Sequence, residues 1–380
     1  MKFFHLSDLH IGLKLVGRDL REDQEYILKQ IVRIASEKLP DAVVIAGDIY
    51  DRAVPSAEAV EVFDHFISDL AKALPKAVIM LISGNHDSAP RVNCFRSLLA
   101  GQNLYTIGLP PQTEQEYIEK VVLYDSYGKV NFYLLPFVRP SMVKQVVGGK
   151  EDSHLSYNDA LHQLIERERI DSNERNVFVS HQFYLPVGEN ADKIERMDSE
   201  IQTVGNIDEV YADMLEAFDY AALGHIHKPM RVGSEVFRYC GTPLACSVSE
   251  AGQQKGIVMV ELKEKKTKPD ISVLPLKPLR EVKVVRGGLK EILKQSCNDY
   301  VAVTLTDNTE WDIDVQSRIQ AAFPYLLEVH REIVLRKNEA KEAQELINLD
   351  PLQLCCAFKG DLDDLEKEIL QDVINTVKEV

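Results

Sequence analysis

Five short clusters of His, Asp and Asn punctuate this 380-residue sequence, each at the end of an apolar, β-prone run. They are Asp8-Leu9-His10 after KFFHL, Gly47-Asp48 after AVVIA, Gly84-Asn85-His86-Asp87 after VIMLI, His181 after NVFVS and Gly224-His225-Ile226-His227 after YAAL. Imidazole, carboxylate and amide oxygen are all metal-ligating groups. Asp8 and His10, two apart on an extended segment, would point the same way, toward one ion. Asp48, at the end of a buried strand, can bridge two cations, with Gly47 allowing close backbone approach. Asn85 offers a neutral oxygen and leaves the adjacent His86 to face a substrate. His181 alone would be an ordinary hydrogen-bonded residue, whereas His225 and His227, flanking one residue, suggest a metal even in isolation. Together Asp8, His10, Asp48, Asn85, His181, His225 and His227 are too many ligands for one ion but suit two that share Asp48. Nitrogen and oxygen ligands without thiolate favour Mn, Fe or Zn over Mg or Ca. Two such ions suit in-line displacement at phosphorus.

The elements that must position these groups alternate between strand and helix. Lys2–Leu6, Ala42–Ala46, Val78–Ile82, Phe132–Leu135, Val177–Val179 and Tyr220–Leu223 read as buried strands. A helix opened by Asp19 carries Leu20, Ile27, Ile31 and Ile34 at helical spacing, and a second fits Ala57–Ala73 before Pro75. This alternation predicts an α/β layered domain with its site where the strands end. The Lys/Pro-rich KEKKTKPD, with Pro275 and Pro278, marks a boundary near 265–280. Beyond it, strands Glu281–Val285, Tyr300–Thr306 and Leu326–Val329 and helices Leu289–Gln295 and Val315–Phe323 form a compact α+β module. From about residue 338 the chain turns acidic and helical. Asp361 can cap a helix with Leu362, Leu365, Ile369, Val373 and Val377 on one stripe, suited to a core or to a docked partner. The expected division is 1–270, 271–337 and 338–380.

Composition narrows the function classes. A hydrophobic share of 45% and a charged share of 27% are those of a globular protein. No apolar stretch nears the roughly 20 residues needed to span a bilayer, and the N-terminus turns polar too soon for a signal peptide. The expectation is a cytoplasmic protein without membrane contact. The six cysteines form no CxxC pair, which excludes zinc-finger spacing and leaves no disulfide framework to expect. A net charge of −16 argues against coating nucleic acid by charge alone. Residues 255–290 nevertheless carry ten Lys/Arg against four acids, as a solvated linker or a phosphate-binding surface would. His5 reads as core, and His65, His154, His162 and His330 lack partner motifs. Arg52 and Arg91, just after two of the motifs, could face substrate phosphates or be ordinary surface arginines.

The ordered set DxH, GD, GNHD, H and GHxH resembles the calcineurin-like metallophosphoesterase superfamily over residues 1–265. GDIYDR lacks the glycine of the GDxxDRG form found in Ser/Thr phosphatases, and GNHDS replaces their GNHE. HLSDLHIGLKLVGRDLREDQ, GHIHKP and YCGTPLACSVSEAGQQKGIVMVEL are similar instead to the superfamily's DNA-nuclease branch. That resemblance implies a layered β-sandwich flanked by helices, a DNA-capping α+β domain and C-terminal helices that bind an SMC-like ATPase. It implies one Mn²⁺ on Asp8, His10, Asp48 and His227, and another on Asp48, Asn85, His181 and His225. It makes His86 the catalytic histidine, orienting the phosphate or protonating the leaving oxygen, with Asp87 as its supporting partner. Some relatives carry a second active-site histidine where this chain has Asp51, which would instead orient a ligand or cap its loop. The implied activity is 3′–5′ double-strand exonuclease and single-strand or hairpin endonuclease. The implied assembly is a homodimer joined to two ATPase copies at the bacterial nucleoid. The chain has no Walker A sequence, so ATP dependence would come from the partner. A small-molecule or protein phosphatase on the same core is the alternative, though its substrate would need neither added module. A non-catalytic scaffold would not need the full ligand set plus His86.

Overall fold

The computed structural model describes residues 1–147, 156–188, 197, 198, 200, 209–307, 309–332 and five isolated positions beyond. Runs such as AVVIA and VIMLI lack polar positions because both faces of those strands are covered. They lie in a six-stranded sheet ordered Asp270–Pro275, Gly256–Glu261, Lys2–Leu6, Ala42–Ala46, Val78–Ile82, Leu104–Ile107. The last four are mutually parallel and the first two antiparallel. A second six-stranded sheet is ordered Met230–Val232, Ser234–Tyr239, Tyr220–Gly224, Arg175–His181, Gly128–Leu135, Glu119–Asp125. Its four middle strands are also parallel, between antiparallel edges.

The two sheets face each other, and strand alternation sorts their side chains into layers. Phe3, Val44, Met80, Phe132, Val179 and Tyr220 fill the space between the sheets. Phe3 meets Phe132 and Tyr220 edge-on, at ring separations of 5.4 and 5.6 Å. On the outer faces, Phe4, Val43 and Ile79 receive helices Arg21–Lys38 and Ala57–Ala73, while Tyr133 and Phe178 receive Pro140–Val146 and Tyr157–Glu166. The result is a layered α/β sandwich of helix, sheet, sheet and helix.

Lys2–Leu6, Ala42–Ala46 and Val78–Ile82 form over the expected residues, and so does the helix Ala57–Ala73, capped by Ser56 Oγ on the Ala59 N–H at 3.3 Å. The first helix begins at Arg21 rather than Asp19. Asp19 ends a short hairpin instead, with Lys14–Leu15 pairing Arg18–Asp19, and its Oδ1 accepts the Arg21 N–H at 2.9 Å.

KEKKTKPD is not a linker. It spans the turn between Gly256–Glu261 and Asp270–Pro275, so the sheet runs five residues past the boundary expected at 270. Six of the ten basic residues in 255–290 are ion-paired, while Lys266, Lys268, Lys277 and Lys290 are exposed. Lys263 pairs with Asp270 (2.6 Å), Lys265 with Asp219 (2.8 Å), Lys283 with Asp299 (2.6 Å) and Arg286 with Glu332 (2.6 Å). Lys255 and Arg280 are likewise committed, to Glu250 (2.6 Å) and Asp23 (2.8 Å).

The α+β module has a parallel sheet of Val282–Gly287, Tyr300–Leu305 and Leu326–Arg331. Helices Leu289–Ile292 and Ile313–Ala322 cover it around Ile292, Val303, Ile319 and Phe323. Beyond residue 332, apart from the isolated positions, the chain lies outside the described residues, and so do most of the expected C-terminal stripe and His154. No helix among the described residues is long and apolar enough to cross a membrane.

Candidate metal centre

Every motif sits at the carboxyl end of a parallel strand, Asp8, Asp48 and Asn85 from the first sheet and His181 and His225 from the second. The loops are held in uncommon backbone. Asp8, His10, Asp48 and His225 have φ of 53°, 42°, 49° and 104°, where non-glycine residues persist only if their surroundings fix them. The fixing is visible. Asp8 N–H donates to Gly47 O (2.9 Å), His10 N–H to Asp48 O (3.1 Å) and Ile11 N–H to Ile49 O (3.0 Å). Asp8 and His10 therefore converge from a laced turn, not from the extended segment that their spacing suggested.

Asp87 also differs from expectation. Its carboxylate accepts three backbone N–H groups, from Ile49 (3.1 Å), Tyr50 (3.0 Å) and Gly84 (2.9 Å), so it binds the Asp48 loop to the Asn85 loop rather than supporting the His86 ring. Burial, then the nearby Asp48 charge, raises its pKa to about 6. The partner of His86 is the Asp51 backbone carbonyl, 2.8 Å from Nδ1.

Glycine is required where the loops meet. A Cβ on Gly47 (φ +89°) would lie 2.3 Å from His181 Nδ1, and one on Gly224 would lie 1.9 Å from Ala46 O. Both obstacles are fixed parts of the centre. Gly224→Ala is expected to destabilise the protein by about 1–3 kcal/mol, as overpacking does, and to weaken metal binding; a thermal melt with a parallel Mn²⁺ titration checks this.

The ligand atoms fall into two groups around Asp48. In one, His10 Nε2 and His227 Nε2 face each other at 3.0 Å, with Asp8 alongside and Asp48 Oδ2 3.6 Å from His10. In the other, Asn85 Oδ1 lies 3.0 Å from His181 Nε2 and 2.9 Å from His225 Nδ1, and Asp48 Oδ2 lies 3.3 Å from His181 Nε2. The donor chemistry fits a cation. His181 Nδ1 is 2.7 Å from Ala46 O and must donate its proton there. In the neutral ring, Nε2 then turns a lone pair toward the oxygens of Asp48 and Asn85, and a positive charge there reconciles the three. Burial opposes a charged His181, yet the Asp48 carboxylate raises its pKa to about 9. Burial likewise works against Asp48, but the charges of His181 and His10 hold it well below the usual carboxylate range. A metal ion bound there would take the role of that proton.

Metal binding must displace that proton. Apparent affinity is therefore expected to rise with pH up to about 9 and to level off above it. Titration calorimetry in buffers of different ionisation enthalpy, near neutral pH, should register proton release.

The surroundings contain groups that the motifs did not announce. Glu250, fully buried, stands 3.6 Å from His227 Nδ1 and accepts from Lys255, Thr242, Ser247 and the Cys246 amide. Such a carboxylate orients a metal-binding imidazole, but its 23-residue separation from His227 gave no sequence signal. Cys246 is near the same histidine, but burial pushes its thiol well up, so it stays protonated. His86 lies edge-on to His10, ring centroids 4.8 Å apart, and its backbone N–H donates to Asp48 Oδ1 at 2.9 Å. The Asp51 carboxylate reaches 4.0 Å from His10 Nδ1 and 3.5 Å from Arg52 Nε. Arg52 is 80% exposed, and Arg91 is exposed on the short helix Ala89–Val92. His5 is core, between Tyr220 Oη (3.0 Å) and Leu223 O (3.2 Å).

Residues 1–229 match the family model described as calcineurin-like phosphoesterase, and residues 275–361 match that described as Type 5 capsule protein repressor C-terminal domain. The chain is 31% identical over 334 residues to the SbcD subunit of the nuclease SbcCD of Staphylococcus epidermidis, covering 86% of this chain and 84% of that protein. Solved structures similar to it include a novel archaeal phosphodiesterase, at 12% identity and a TM-score of 0.29 over 72% of this chain and 100% of that one. A dimetal phosphatase from Danio rerio is similar at 12% identity and a TM-score of 0.38, over 72% and 98% respectively.

Proposed function

This chain belongs to the calcineurin-like phosphoesterase family, and we propose that it is a two-metal DNA nuclease, the nuclease subunit of a complex with an SMC-like ATPase. The observation that carries the chemistry is the arrangement of two ligand groups about the single carboxylate of Asp48. Asp8, His10, Asp48 and His227 would hold one ion, and Asp48, Asn85, His181 and His225 the other, with Mn²⁺ the metal that we infer. When bound, the ions supply Lewis-acid activation of water and of the phosphodiester.

The chain's own residues do the rest. With Nδ1 held by the Asp51 carbonyl, His86 presents its other ring nitrogen to a phosphate or leaving oxygen, where it can stabilise charge or give a proton. Glu250 and Asp87 keep the ligand loops in place. Arg52, exposed beside Asp51, and Arg91 are the side chains we assign to contact the flanking DNA phosphates.

The DNA substrate and the ATPase partner rest on the likeness to the nuclease subunit, which extends over 86% of the chain. In this reading the body through 275 is the nuclease domain, the module from about 281 to 337 caps DNA, and the region from 338 onward binds the ATPase. Phe95 and Leu98, exposed at 77% and 70%, offer an apolar patch for a homodimer within a heterotetramer. The site of action is the cytoplasm, at the nucleoid. A small-molecule or protein phosphatase on the same core would leave the second matched module without a task.

The test is incubation with Mn²⁺ and either a DNA hairpin or p-nitrophenyl phosphate, with and without an SMC-like ATPase. Hairpin cleavage is expected. Turnover of the generic phosphate alone would overturn the nuclease assignment.

A further inference from the structure

We propose that Gln24 is a positioning residue for the metal ligand His10, and that the α+β module holds Gln24 in place through its neighbour Asp23. The proposal rests on the two-metal reading of the site. His10 keeps a left-handed backbone (φ 42°) and is followed by Gly12 at φ 91°. The Gln24 side chain spans this turn from the helix Arg21–Lys38. Its Nε2–H donates to the His10 carbonyl at 2.7 Å, and its Oε1 accepts the Gly12 N–H at 3.0 Å. Gln24 is buried, so water does not readily replace either bond. Within the His10 ring, Nδ1 has no hydrogen-bond partner among the described residues. Beside its contacts with His227 and Asp48, the ring's aim is set by its backbone, which Gln24 clamps.

Asp23, the next residue, faces the other module. It is fully buried, and its Oδ2 accepts from Arg280 Nη1 at 2.8 Å and from Tyr300 Oη at 2.7 Å. Arg280 also donates to Glu22 at 2.7 Å and lies over the Tyr325 ring at 4.4 Å. Arg18, from the hairpin before the same helix, donates to Leu326 O at 3.0 Å. Among the described residues Asp23 Oδ1 has no hydrogen-bond partner, and Arg280 and Tyr300 supply the hydrogen bonds to this buried carboxylate. Two adjacent residues thus reach in different directions, one to the metal loop and one to the module. The sequence hides this, because a D-Q pair in the first turn of a charged helix reads as surface.

The experiment titrates Mn²⁺ into the metal-free full-length protein by calorimetry and compares Gln24→Ala, Gln24→Glu, Arg280→Ala and the Gln24→Ala/Arg280→Ala pair. Gln24→Ala is expected to weaken one of two binding events about 10-fold, the scale of losses around metal ligands. DNA cleavage by that variant should recover kcat at saturating Mn²⁺ with KM for DNA unchanged, which a general loss of fold would not give. Gln24→Glu keeps the acceptor but not the donor and should weaken the same event, providing a second test if alanine is not tolerated. Arg280→Ala is expected to weaken it by less, and the pair by less than the product of the two effects. Wild-type affinity in both Gln24 variants would overturn the positioning role, and a strictly multiplicative pair would overturn the coupling to the module. If the unsubstituted protein bound no Mn²⁺, the metal-site reading would fail instead.

Discussion

His86→Ala is expected to lower phosphodiester turnover by roughly 10²- to 10⁴-fold, the range of a positioned acid–base group, while both metal ions remain bound. The two halves of that expectation have separate grounds. The ring's Nδ1 is committed to the Asp51 carbonyl at 2.8 Å, which fixes its orientation and leaves one nitrogen for substrate. The backbone N–H of His86 orients Asp48 Oδ1 and survives the substitution. His86 also stands within reach of His10 and Asp48, close enough to be counted a ligand itself. Metal titration beside single-turnover kinetics separates the roles, because loss of an ion together with activity would make His86 a ligand.

Asp48→Ala is expected to remove both ions from their ordinary affinity range and to abolish turnover, a larger loss than the roughly 10- to 100-fold typical of groups outside the ligand set. Its Oδ2 lies 3.6 Å from a nitrogen of one ligand group and 3.3 Å from a nitrogen of the other. Asp8 also lies near both groups, clustering with His10 and His227 and with Asp48 and His181, but Asp48 is the carboxylate paired with a histidine nitrogen of each. Removing the side chain of Asn85 or of His225, whose Oδ1 and Nδ1 meet in the second group, should cost one ion and spare the other. Asp48→Ala carries a further consequence in the metal-free protein. Against burial, the Asp48 carboxylate is the largest of the influences that raise His181, ahead of Asp8 and Ala46 O, so without it the imidazole is expected to lose its proton at lower pH. Calorimetric stoichiometry for the three variants, with the imidazole titration followed by NMR, checks both statements.

Much of this was legible in the residues, for a physical reason. A metal centre built at the ends of parallel strands places its ligands directly after apolar runs, so chemistry and secondary structure punctuate the sequence together. The α/β layering was legible for the same reason, since Ala42–Ala46 and Val78–Ile82 are buried on both faces and carry no polar position. The edge strands were less visible. Asp270–Pro275 is largely exposed and follows a Lys-rich turn, so it resembled a linker. The groups around the ligands were the hardest to read, because their partners are backbone atoms or distant in sequence. Asp87 binds three amides, Gln24 a carbonyl and an amide, and Glu250 approaches a histidine 23 residues away. Spacing could pair Asp8 with His10 yet could not show that both sit in left-handed backbone.

A pair of ions sharing Asp48 would be seen directly by anomalous scattering from crystals soaked in Mn²⁺. Two peaks are expected, one among Asp8, His10 and His227 and the other among Asn85, His181 and His225, with Asp48 touching both. A single peak, or one ligated by His86 in place of Asp48, would contradict that sharing.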